Sequence, residues 1–225
     1  MDYGFTKEEL IVMRPHDTPA KIQDFLNTIP INFQEGKATC LSPRRVLREN
    51  KAQCVEGAFL AAAMLRLAGW RPLVMDLTSA DDDYDHVVAV FQIDKCWGAI
   101  SKTNHGVLRY REPIYRSIRE LAMSYFHEYF KDDGRKTLRS HSGAVDLSRF
   151  DKQHWMTAEH DLWDLYYHVD DVRHYPFLTR AQQRRLRRAD PIEIAMGKLT
   201  EWTPKSARRK PHRKPPQKTM TGFGQ

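Results

Sequence analysis

The chain has 225 residues, of which 41% are hydrophobic, 11% aromatic and 29% charged, enough for one well-buried domain with an appendage and too apolar for wholesale disorder. Its longest uncharged apolar run, 57–65, is under half of the ~20 residues a membrane span needs, and the first residues lack the basic and apolar regions of a signal peptide, which points to a cytoplasmic protein without membrane contact. The formal net charge is +7, and the seven basic residues of 203–225, with no acid among them, account for all of it, leaving a neutral body that gives no nucleic-acid signal by net charge.

In chain order, Thr6 to Met13 and Thr18 to Asn27 read as short helices. In the second, Thr18 caps, Pro19 takes the first helical position and Ile22, Phe25 and Leu26 form an apolar stripe that Pro30 ends. Ser42-Pro43 opens a further turn or two ending near Asn50. From Cys54 to Leu67 the residues are apolar almost all round, Glu56 and Arg66 excepted, as in a helix buried on most sides, and Gly69 fits its C-terminal cap. Arg71 to Leu77 reads as a strand. After an acidic loop at Asp81-Asp82-Asp83, His86 to Phe91 is a β-branched run, with Cys96 to Ser101 as its hairpin partner. Arg116 to Phe130 carries Ile118, Leu121, Ala122, Tyr125, Phe126 and Tyr129 at helical spacing, and Gly134 ends it. Residues 135–150 read as loop, and Thr157 to Val169 and Thr179 to Arg188 as helices, the last bearing five arginines. The fold class is α+β, a buried helix on an antiparallel sheet. Three regions are expected: a domain with N-terminal helices over 1–135, a helical, arginine-rich extension over 136–202, and a disordered basic tail over 203–225.

Cys40, Cys54 and Cys96 form no even framework and match neither a zinc ribbon nor a CxxC spacing, which fits reduced thiols. Cys54 stands where a loop meets a long helix, so unpaired N–H groups and the positive dipole end favour its thiolate, and the N–H groups around Gln53 and Val55 are candidates to hold an oxyanion. Its rival reading is a small hydrophobe packed in the core. If the hairpin is centred between Ile93 and Asp94, facing residues sum to 187: Phe91 opposes Cys96, Val90 opposes Trp97, and His86 opposes Ser101. That register brings Ser101 to the His86 imidazole, while Asp85 points to the other face. The acidic residues Asp76, Asp81, Asp82, Asp83 and Asp85 lack EF-hand spacing and read as a solvated loop. His154, His160, His168 and His174 lack a short metal-binding motif, so no metal and no cofactor are expected.

Ser42-Pro43-Arg44-Arg45-Val46-Leu47, then Gln53-Cys54-Val55-Glu56-Gly57-Ala58, then His86 opening a strand, then Trp97-Gly98-Ala99-Ile100-Ser101 on its partner, together resemble the bacterial transglutaminase-like superfamily over roughly residues 40–105. The resemblance implies a papain-like core and a Cys-His-Asp triad working in acyl transfer or in amide or peptide hydrolysis, with a protein or peptide amide as substrate. Cys54 then takes the place of the nucleophile and His86 that of the base. Ser101 stands where the family has aspartate, and Ala52 where it has a glycine. Asn104, three residues on, is the alternative third residue should the strand end early. Two other readings stand beside this one: a catalytically weak or inactive binding module on the same fold, and polyanion or RNA contact through the basic C-terminal extension.

Overall fold

The computed structural model describes residues 1–204; of the expected basic tail, 205–225 lie outside the described residues. Three short helices come first: α1 (Lys7–Met13), α2 (Pro19–Thr28) and α3 (Pro43–Glu49). Each begins as its sequence dictates. The hydroxyls of Thr6, Thr18 and Ser42 accept from the N–H three residues on, and proline occupies the first turn of α2 and α3, where its missing N–H has no partner to lose. Asn50 ends α3 in the left-handed region at φ 47°.

The fourth helix, α4 (Cys54–Leu67), is buried from Val55 to Leu65, as a helix apolar all round requires, and its first residue, Cys54, is partly exposed. Then come β1 (Leu73–Thr78), β2 (His86–Ile93), β3 (Cys96–Ile100) and β4 (Arg111–Tyr115). After α5 (Ile118–Met123) follow β5 (Ser140–Ser142), β6 (Val145–Asp146), α6 (Trp163–Asp170), β7 (His174–Pro176), α7 (Arg180–Gln183) and α8 (Pro191–Gly197). The strands form one antiparallel sheet in the order β4-β3-β2-β1-β5-β7, with β6 sharing with β5 the far edge of β1. One face, with Val74, Val87, Ala89 and Ile100, packs on α4 and on α2 through Ile22 and Leu26. The other face, with Met75, Leu77, Val88, Val90 and Ala99, packs on Leu121, Ala122 and Tyr125. The molecule is thus α+β, as expected. No helix among the described residues is long and apolar enough to cross a membrane.

Five expectations are corrected. The β2-β3 register pairs Ala89 with Ile100, Val90 with Ala99 and Ile93 with Cys96, two residues away from the expected one. The reason lies in the turn. Asp94 and Lys95 have φ 50° and 65°, the left-handed pair a tight hairpin needs, and aspartate tolerates that region where the β-branched Ile93 does not. In this register Gly98 faces Phe91, and a Cβ there would lie 2.5 Å from the Phe91 ring and 2.8 Å from the Arg111 carbonyl, so glycine is required by close approach.

The amphipathic stretch 116–130 is broken after Met123. Arg111 donates from Nε to the Ser124 hydroxyl and from Nη2 to the Ser124 carbonyl, and its guanidinium lies 4.2 Å from the Tyr125 ring centre. The ladder fails at Leu121, whose carbonyl takes the Ser124 N–H at 3.1 Å and the Ser124 hydroxyl at 2.7 Å, while the Tyr125 N–H turns to the Ala122 carbonyl at 3.2 Å. The boundary expected near 135 is also absent. Residues 140–142, 145–146 and 174–176 are strands of the same sheet, and Leu147, Trp155, Met156, Leu165 and Val169 belong to the core that α4 fills. The presumed loop 135–150 holds β5 and β6, and the expected arginine helix is reduced to the four residues of α7.

Candidate active site

A cleft of roughly 650 Å³ opens where the first turn of α4, the start of β2, the loop after β3 and the 128–132 segment meet, and Cys54, His86, Asn104 and Leu108 all line it. Cys54 is there because it is the first residue of α4. A buried carboxylate holds that helix start. Glu56, with no exposed surface, accepts from the Gln53 N–H (2.8 Å), the Leu41 N–H (2.9 Å), the Thr39 hydroxyl (2.8 Å) and the Asn32 amide (3.0 Å). Four donors offset the cost of burying the group, although burial still raises its pKa.

Gln53 was a candidate for oxyanion contact, and it serves the cap instead. Its N–H goes to Glu56 and its side-chain amide to the Thr39 carbonyl at 2.9 Å. The Cys54 and Val55 N–H groups belong to the first helical turn, whose donors have no intrahelical acceptor, so Val55 remains eligible. The Cys54 sulfur lies 4.0 Å from the Asp85 carbonyl, beside the backbone of residues 85–87. Burial pushes its pKa up to about 11; the Val87 and Val55 N–H groups oppose this, and the charges of Asp76 and Glu56 add to it. Burial of the sulfur thus works against the thiolate that the helix start favours.

His86 and Ser101 do meet, though not as facing residues. In the observed register they are offset by two positions on one face, a diagonal within reach of a long side chain. His86 Nε2 is 2.8 Å from Ser101 Oγ, and Ser101 Oγ is 2.5 Å from the Leu108 carbonyl. A hydroxyl has one proton, and a carbonyl can only accept it. Ser101 therefore donates to Leu108 and accepts from His86, so the proton of the neutral imidazole sits on Nε2 and Nδ1 keeps its lone pair. Burial, then the positive charge of Arg111 and His105, pushes the His86 pKa down to about 4, so the ring is neutral at pH 7. No hydrogen bond joins Cys54 to His86 among the described residues; the two share the cleft.

Leu108 is itself fixed. Its φ of 60° is unusual for a leucine, and both its polar groups are engaged, the carbonyl by Ser101 and the N–H by Glu128 at 2.7 Å. Glu128 is paired in turn with Arg111 at 2.7 Å. Asn104 does not complete a triad. Its amide donates to the Trp202 carbonyl (3.0 Å) and accepts from the Trp202 N–H (2.8 Å), tying the chain after α8 to the cleft rim.

Two further residues of the site escaped the sequence reading. Gln23 bonds both backbone groups of Ser101: Nε2 donates to its carbonyl and Oε1 accepts from its N–H, each at 2.9 Å. A polar residue in the third place of the buried set Pro19, Ile22, Gln23, Leu26 was the available signal. Lys102, 2% exposed, donates to the Leu26 carbonyl at 3.0 Å and to the Ile29 carbonyl, capping the C-terminal end of α2. Burial lowers its pKa to about 8. Cys40 is wholly buried, and Cys96 opens β3.

Among the described residues, Asp76, Asp85 and Asp170 form a cluster in which each brings an oxygen within 4.8 Å of the others. Asp76 is satisfied by His174 at 2.9 Å and by Thr78 at 3.1 Å, and Asp85 accepts the Ser79 N–H at 2.6 Å. These bonds engage two of the three carboxylates. The chain matches no known protein-family model, and no curated protein matches it.

Proposed function

We propose that the protein is a thiol acyltransferase or amide hydrolase of the transglutaminase-like kind, with a papain-like placement of its helix against its sheet. One observation supports this reading above others: Cys54 opens α4 and His86 opens β2 on a single cleft, with the imidazole proton held on Nε2 by Ser101. In this mechanism the Cys54 sulfur attacks the carbonyl carbon of a carboxamide or peptide while its proton passes to His86 Nδ1. The oxyanion takes N–H donors of the first turn of α4, and the imidazolium then returns the proton to the leaving amine. Water or a second amine releases the thioester.

The pair rests as neutral thiol and neutral imidazole, so proton transfer accompanies attack rather than preceding it. Ser101 offers the transient imidazolium a dipole where a carboxylate would offer a charge, and the reaction is correspondingly slow. The test is acylation of the protein by p-nitrophenyl acetate, followed by release of p-nitrophenolate and by mass mapping of the acyl group. Acylation of Cys54 should vanish in Cys54→Ala and fall in His86→Ala. Ser101→Asp should move iodoacetamide labelling of Cys54 toward acid, because a carboxylate beside the ring favours imidazolium and so a neighbouring thiolate. Acylation of Cys54 indifferent to His86→Ala, in a folded variant, would replace this reading with a non-catalytic binding module.

A further inference from the structure

The buried amide of Gln23 has no part in the chemistry just described, yet it is committed to one target. It sits on the sheet-facing side of α2 and is itself buried. One Nε2 hydrogen goes to the Ser101 carbonyl and the other to Asn27 Oδ1, each at 2.9 Å, while Oε1 accepts the Ser101 N–H. A primary amide that donates to a residue's carbonyl and accepts from its N–H does what a neighbouring strand would do. It does so one residue past the end of β3, where the ladder with β2 has stopped at Ile100. Without it, two buried backbone groups of Ser101 would be unpaired, each at a cost of about 1–3 kcal/mol, and the residue would shift to satisfy them. The hydroxyl of Ser101 stands at the next link, between His86 Nε2 and the Leu108 carbonyl.

We infer that Gln23 is a positioning residue: it substitutes for the missing strand, holds Ser101 in place, and through Ser101 keeps the His86 proton on Nε2 and the Nδ1 lone pair available as base. The relay runs Asn27, Gln23, Ser101, His86, and all its links are hydrogen bonds within the protein. Its role in turnover rests on the reading of Cys54 and His86 given above, but the state of the ring can be read without any substrate.

The experiment is long-range ¹H–¹⁵N correlation NMR of the histidine rings at pH 7 in the full-length protein, with His86 assigned by its absence in His86→Gln. The wild type should show one tautomer, protonated at Nε2. Gln23→Met, and Gln23→Glu as the near-isosteric variant that loses both donors, should each give a mixture of tautomers, as should Ser101→Ala. Adding Gln23→Met to Ser101→Ala should change the ring no further, because both act through the same hydroxyl. In parallel, acylation of Cys54 by p-nitrophenyl acetate should fall about 10-fold in Gln23→Met, roughly the effect of one hydrogen bond, and again no further in the double variant. An unchanged Nε2 tautomer in Gln23→Glu or Gln23→Met would overturn the inference. So would equal, additive effects in the wild-type and Ser101→Ala backgrounds, the pattern of a general loss of packing. If the tautomer responds as expected but acylation ignores His86, the relay stands and the proposed reaction falls.

Discussion

His86 carries a proton-binding deficit that the fold imposes. Its pKa lies at about 4 rather than 6.5, because the ring is buried and faces the positive charges of Arg111 and His105. The folded protein therefore binds fewer protons than the unfolded chain between these values. The resulting stability is fully present above about pH 6.5 and is lost as pH falls toward 4, an effect on the order of 3 kcal/mol by linkage. Urea unfolding of wild type and His86→Gln between about pH 7 and about pH 4.5 should show a steeper loss in the wild type. Parallel slopes would mean that the ring is charged in the folded state. At this scale the sequence was partly legible. Cys54 and His86 both line the cleft, Ser101 is buried against the imidazole, and the two-residue error in register left His86 and Ser101 together because it preserved the parity of the strand. What could not be read was desolvation: the helix start that favours a thiolate is visible in a sequence, and the burial that opposes it is a property of everything packed around it.

Among the elements, α4 and the loop after β3 approach closely at Gly57. A Cβ on Gly57 would fall against Lys102 Cβ and 2.9 Å from its Cγ, and Lys102 cannot swing aside while Nζ holds the end of α2. Gly57→Ala should thus cost about 1–3 kcal/mol through overpacking, despite alanine's better helix propensity. Gly143→Ala, where nothing lies within 4 Å of the added atom, should cost little by comparison. Thermal unfolding of the two variants measures the contrast, and equal midpoints would show that Lys102 gives way. Helices that start at a cap and proline, α2 and α3, and the all-round apolar α4 were legible from local chemistry. The amphipathic stretch 116–130 was not, because the Ser124 hydroxyl takes the Leu121 carbonyl and Arg111, a residue of the preceding strand, fixes Ser124 in place.

Over the whole molecule, the sheet binds the two ends of the chain into one folding unit. The central strand β1 receives β2 on one edge and β5 and β6 on the other, so a chain cut at 135 exposes that second edge and loses Trp155, Leu165 and Val169 from the core. Such a fragment should lack a cooperative unfolding transition, while a chain ending at 204 should keep one. Calorimetry decides, and a cooperative 1–135 would restore the separate domain that composition suggested. The misplaced boundary has a plain cause. Strands of two or three residues, such as β5, β6 and β7, are too short for any period to register, and only their partners make them strands: β1 for β5 and β6, and β5 for β7.

The two outermost strands share a residue type. β4 contains Pro113 and β7 ends at Pro176, and proline has no N–H to offer a further strand. Each margin of the sheet is thus short of a donor, the arrangement by which β proteins avoid stacking edge to edge. Both margins are therefore poor templates for an added strand, which disfavours growth of the sheet into aggregates.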